Sequence, residues 1–126
     1  MPSRVEIGAV LLASPTPEKL AEFYRRAFGL GAVRAQGPDH LGVSAGNIYL
    51  GFDRARRPPK APGRATVWFR VPDADRTYRR LLSLGAKGVM PPDRDCSPGE
   101  VLAWLLDPEG NAIGILSEAK RKRPRR

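Results

Sequence analysis

The chain has 126 residues, enough for one domain with a real core, and 41% of them are hydrophobic. A single cysteine, Cys96, excludes an intrachain disulfide and fits a reducing compartment. Residues 1–6 lack the apolar stretch of a signal peptide and no run reaches transmembrane length, so a soluble cytoplasmic protein with no membrane partner is expected.

The formal charge of +9 is concentrated at one end. Residues 120–126 hold six of the 22 basic residues and no acid, which leaves 16 basic against 13 acidic elsewhere. The body is therefore only mildly basic. Such a like-charged block reads as a disordered, solubilising tail that makes at most weak contact with a nucleic acid or another polyanion.

Residues 5–13 form a short apolar run of strand length. Thr16 is placed to cap a helix and Pro17 to open it. The helix is expected over 17–28, with Leu20, Phe23, Tyr24, Ala27 and Phe28 on one stripe and Gly29 as a left-handed cap. Residues 31–35 read as a strand and 36–39 as a turn. Two further strands follow over 40–44 and 47–52, joined by Ala45-Gly46. The order is β-α-β-β-β. Residues 53–63, with three prolines and a glycine, read as a linker.

The order then repeats. Residues 65–71 have strong strand composition, and Pro72-Asp73-Ala74-Asp75 starts a helix that ends near Leu84, with Gly85 as its stop. A strand over 86–90, a loop over 91–98 and a closing hairpin of strands 101–106 and 112–116 complete the second copy. Its turn, Asp107-Pro108-Glu109-Gly110-Asn111, has hairpin chemistry. Tyr24-Arg25-Arg26 and Tyr78-Arg79-Arg80 lie 54 residues apart, as do Leu30-Gly31-Ala32 and Leu84-Gly85-Ala86. Gly46-Asn47 and Gly110-Asn111 lie 64 apart, so the second copy carries about ten extra residues in its later loop.

This duplication, the helix sequence of residues 21–30 and the Asp-Pro-Glu-Gly-Asn turn together resemble the vicinal oxygen chelate superfamily of glyoxalases, bleomycin-resistance proteins and extradiol dioxygenases, in its small glyoxalase-like members. The resemblance implies an α+β fold of two tandem βαβββ modules forming an open half-barrel cavity, often completed in a homodimer. A single domain over 1–119 is expected, with modules at about 5–53 and 64–118, the 53–63 linker between them and the basic tail beyond.

Enzymes of the family hold a divalent metal with His, Glu or Gln on four strands. Carried over, those positions fall at Ala9, near Leu50, at Thr66 and at Gly114. None has a usual donor, and neither do the neighbours Gly8, Val10, Tyr49, Gly51, Ala65, Val67, Ile113 and Ile115. No metal and no cofactor are expected. The family's standard isomerase and dioxygenase chemistry then loses its main electrostatic source.

Strand alternation nominates the lining of the cavity. Thr66 brings Trp68 and Arg70 with it, Leu50 brings Ile48 and Phe52, Ala9 brings Leu11 and Ala13, and Gly114 brings Ala112 and Leu116. The candidate ligand-binding residues are Trp68, Arg70, Thr66, Leu50, Phe52, Leu11 and His40, with no catalytic residue assigned. This trough suits a planar or aromatic ligand carrying an acidic or carbonyl group. Trp68 reads equally as core, and His40 reads first as an edge-strand histidine with no partner evident. Cys96 sits between Asp95 and Ser97, with Arg94 as its only counterweight to Asp93 and Asp95, an environment that does not lower a thiol pKa. Its loop and Glu100 are expected at the cavity mouth, and either face is open to Trp104. The leading expectation is a metal-free protein that binds a small organic molecule, an antibiotic or a metabolite. The alternatives are a relocated lyase or isomerase chemistry using His40, Glu100 or Arg70, and polyanion contact through the tail.

Overall fold

A computed structural model of the chain describes residues 7, 9–55, 66–95 and 97–119. Most of the expected linker, Cys96 and the basic tail lie outside the described residues. The chain divides into two units, Met1–Lys60 and Ala61–Arg126.

The first unit contains β1 (Ala9–Ser14), α1 (Pro17–Phe28), β2 (Arg34–Ala35), β3 (His40–Ala45) and β4 (Ile48–Arg54). The second repeats the order with β5 (Val67–Arg70), α2 (Ala74–Ser83), β6 (Lys87–Asp93), β7 (Glu100–Leu106) and β8 (Ala112–Glu118). Each forms a mixed four-stranded sheet, in the orders β1-β4-β3-β2 and β5-β8-β7-β6. In both, the first strand pairs parallel to the last, and the remaining neighbours are antiparallel. The architecture is α+β, with two tandem βαβββ modules as expected.

Local chemistry explains most boundaries. Gly29 caps α1 in the left-handed region at φ 63°, a conformation that penalises any Cβ. Thr16 occupies the N-cap position, but its side chain makes no capping bond. Buried Ser14 fixes the turn that leads into the helix, its Oγ accepting the Thr16 N–H at 2.9 Å. Asp73 caps α2 by accepting the Arg76 N–H at 3.1 Å. The closing turn is built around Asp107, which is buried. Its Oδ1 accepts from the N–H groups of Glu109 and Asn111, and its Oδ2 from the Asn111 side chain, at 2.8–2.9 Å.

Several boundaries depart from the sequence reading: β1 is Ala9–Ser14 and β8 runs on to Glu118. The expected strand at 31–35 shrinks to two residues, and β4 runs on to Arg54, taking Asp53 out of the linker. Pro91 and Pro92, expected in a loop, belong to β6. β6 is an edge strand with irregular register at Gly88/Met90 and Met90/Asp93, the setting in which a strand tolerates residues without an N–H.

Each helix packs on one face of its own sheet. In the first unit Leu20, Phe23, Tyr24 and Ala27 of α1 are buried with Val43, Leu50 and Phe52. The Tyr24 and Phe52 rings meet at 5.6 Å between centroids. The second core is aliphatic: Ala74 and Leu81 of α2 are buried, as are Val101, Ala103, Leu105, Ile113 and Ile115. The expected facing of β4 is thereby corrected. Phe52 is 0% exposed, and Leu50 shares its parity, so both belong to the helix-packed face. Tyr49, Gly51 and Asp53 take the other face.

Between α2 and the end of β6, Arg94 forms an ion pair with Asp75 at 2.6 Å. The hydrogen bond from Arg94, followed by its charge, holds the Asp75 carboxyl below the usual aspartate range.

Phe52→Ala is expected to lower unfolding free energy by about 3–5 kcal/mol, read from urea denaturation. In an NMR titration, Arg94→Ala should raise the Asp75 midpoint toward its ordinary value. Because the folded pKa is depressed, the pair's stabilisation is present above the unfolded carboxyl's pKa and fades as pH falls through the folded one.

Candidate functional site

The helix-free face of each sheet is shaped by glycines at paired positions. In the first unit Leu11 of β1 is the register partner of Gly51 of β4. A Cβ on Gly51 would lie 2.4 Å from the Leu11 side chain, so Leu11 rests on bare backbone. In the second unit Trp68 of β5 is the partner of Gly114 of β8. A Cβ on Gly114 would lie 2.1–2.5 Å from three indole atoms, so the indole rests against that backbone. Neither side chain is thereby buried: Leu11 is 57% and Trp68 47% exposed.

Trp104 of β7 is also a partner of Gly114, across the antiparallel pair, which puts it on the same face as Trp68. It is 39% exposed. Arg70, two residues beyond Trp68 on β5, shares this face and makes no ion pair among the described residues. Thr66 is half-buried just before β5. The second unit thus brings two tryptophans and a cation to one sheet face. Glu100 opens β7, where its carboxylate accepts from the Ser97 hydroxyl at 2.9 Å.

The first unit carries a polar constellation on its helix-free face. His40 of β3 is the cross-strand partner of Asp53. Its Nδ1 is 2.6 Å from Asp53 Oδ1, and its Nε2 is 2.6 Å from the Tyr49 hydroxyl. The His40 and Tyr49 rings stack at 5.7 Å with planes 23° apart. Gly42 makes room for this: a Cβ there would fall 1.7 Å from Tyr49 Oη. Beside the tyrosine lies a cavity of about 420 Å³, lined by Arg34, Gln36, Gly42, Ser44 and Tyr49, with Gly31, Ala32 and Val43 completing it. No acidic side chain lines it.

Of the residues nominated from sequence, Trp68 and Arg70 share one face in the second unit, and Leu11 and His40 share one face in the first. Leu50 and Phe52 lie on the opposite, helix-packed face. Sequence reading missed Tyr49 and Asp53 as partners of His40, and Gly42, Gly51 and Arg34 as the residues that frame them. The available signal was strand parity: once Phe52 is given to the helix, Tyr49, Gly51 and Asp53 must turn the other way.

The metal expected of the family's enzymes does not fit these residues. In the first unit Ala9 and Gly51 offer no donor, and Leu50 faces the helix. In the second, Thr66 offers a hydroxyl and Gly114 nothing. Gly51 and Gly114 are moreover covered by Leu11 and Trp68, so no donor side chain can be added there without displacing them. Among the described residues no group of three or more His, Cys, Asp or Glu side chains is placed to hold a metal ion. Neither helix is long and apolar enough to cross a membrane.

The model of the glyoxalase-like domain family matches residues 9–116. No curated protein matches the sequence. Among solved structures, a glyoxalase/bleomycin resistance protein/dioxygenase family enzyme from Burkholderia phytofirmans PsJN superposes with a TM-score of 0.78 at 19% identity, covering 91% of this chain and 100% of its own. A glyoxalase/bleomycin resistance protein from Albidiferax ferrireducens T118 gives 0.73 at 20% identity, covering 90% and 98%. TioX from Micromonospora sp. ML1 gives 0.70 at 22%, covering 91% and 100%. These structural likenesses establish a common fold. With its paired βαβββ modules and a family match spanning nearly the whole described chain, the protein belongs to the glyoxalase-like domain family of the vicinal oxygen chelate superfamily.

Proposed function

We propose that this protein binds a small organic molecule, an antibiotic or a metabolite, on the helix-free faces of its sheets, without a metal. The observation that carries the reading is Trp68. A large aromatic ring is held against the Gly114 backbone with nearly half its surface exposed, at 47%. Folding has fixed the ring without burying it, so a planar ligand can stack on it with little further loss of side-chain freedom. Trp104 adds a second aromatic surface across Gly114, and Arg70 adds a cation suited to an acidic or carbonyl group on the ligand.

Trp68 and Trp104 lie side by side across Gly114, an exposed aromatic patch of the kind that marks an interaction site, which supports a homodimer as well as a ligand. A cytoplasmic location accords with the single cysteine. The basic tail is assigned at most a weak polyanion contact. Its sign would be a salt dependence that disappears when residues 120–126 are deleted.

The planar aromatic anion 1-anilinonaphthalene-8-sulfonate is a suitable probe. It should bind saturably to the folded protein. Trp68→Ala should weaken it roughly three- to tenfold, the value of one aromatic stack, with the circular dichroism spectrum unchanged. Equal affinity for both proteins would contradict this placement of the ligand.

A further inference from the structure

We propose that the cavity beside Tyr49 in the first unit is a second ligand site, for a small molecule with an acidic hydroxyl such as a phenol or an enol. Binding there hands the ligand's proton through Tyr49 to His40. The inference does not rest on capture at Trp68, because every residue it uses lies in the first unit.

An ionised Asp53 carboxylate only accepts, so the 2.6 Å contact to His40 requires a proton on Nδ1. In the neutral imidazole Nε2 is then an acceptor, and the 2.6 Å contact to Tyr49 takes the phenol's own proton. Tyr49 Oη, with its O–H turned to His40, presents only lone pairs to the cavity. It therefore favours a ligand that donates a hydrogen.

The proton count closes. As the ligand hydroxyl gives its proton to Tyr49 Oη, the original Tyr49 proton passes to His40 Nε2. The imidazolium formed is held by Asp53 through Nδ1–H, and Tyr49 now donates to the ligand oxyanion. Arg34, on the same cavity wall, supplies the countercharge. No acceptor, oxidant or further reactant is needed. On this face the titratable and charged groups around His40 are Asp53 and Tyr49 from β4 and Arg34 from β2, whereas β1 presents only Ala9, Leu11 and Ala13. Arg34 makes no ion pair among the described residues.

The arrangement is also pre-set. Gly42 and Gly51 are cross-strand partners, and together they leave a side-chain-free floor on which Tyr49, His40 and Leu11 lie. A methyl group on either glycine would push these rings aside.

The probe is 3-nitrophenol, whose anion is yellow and whose neutral form is not. It is added to the full chain above the ordinary histidine pKa of about 6.5 and below the probe's own, higher pKa, where the anion band of the free compound is weak. The expected result is saturable binding with growth of the anion's visible band. Tyr49→Phe and His40→Gln should abolish the colour. Arg34→Ala should weaken binding roughly tenfold or more. Gly42→Ala, which removes no titratable group but displaces the Tyr49 ring, should also lose the colour while the circular dichroism spectrum persists. Trp68→Ala should keep it, which separates this site from the one in the second unit. Absence of binding, colourless binding, or colour that survives in both Tyr49→Phe and His40→Gln would overturn the proposal.

Discussion

The structure depends on a backbone approach that only glycine permits. In each module the parallel pairing of first and last strands sets a large side chain opposite a glycine: Leu11 over Gly51, and Trp68 over Gly114. With no Cβ beneath it, each side chain settles on the sheet instead of standing away from it. The helix-free face therefore has fixed groups on it before any ligand arrives. The same two glycines stand on the strands where the family's enzymes would carry metal ligands, so occupation by Leu11 and Trp68 and absence of a metal donor are one structural fact.

The two modules keep a common topology and have diverged in chemistry on both faces. Under α1 the core is aromatic, with Phe23, Tyr24 and Phe52 in contact. Under α2 it is aliphatic, built on Leu81, Leu105, Ile113 and Ile115. On the helix-free faces the contrast reverses. The first unit carries the Asp53–His40–Tyr49 chain, and the second carries Trp68 and Trp104. A core requires only volume and apolarity, so either filling serves. The opposite faces are released from that requirement, and there duplication has left one polar and one aromatic surface.

Much of the fold was legible in the sequence because its signals are local. Pro17 and Gly29 bound α1, the Asp73 region starts α2, and the Asp107–Asn111 turn closes the second module, as composition alone suggests. The site was less legible because it depends on parity. In Ile48-Tyr49-Leu50-Gly51-Phe52 both parities carry large side chains, so alternation does not say which set faces α1. The contact of Phe52 with Tyr24, 28 positions away, decides it. The partnership of His40 with Asp53 follows from the register of the hairpin turning at Gly46 and Asn47, and the prolines of β6 are tolerated only because that strand is an edge. In Val67-Trp68-Phe69-Arg70 and Val10-Leu11-Leu12 too, large side chains occupy both parities, and the partnerships of Trp68 with Gly114 and of Leu11 with Gly51 decide the facing.

The central claim is that the side chains of these faces, and not a metal, provide the binding chemistry. Native mass spectrometry of the full chain, purified gently at low salt, with metal analysis of the same sample, tests it most directly. The account predicts an organic adduct that survives treatment with a chelator, and no stoichiometric divalent metal. A stoichiometric metal whose removal also releases the adduct would contradict it.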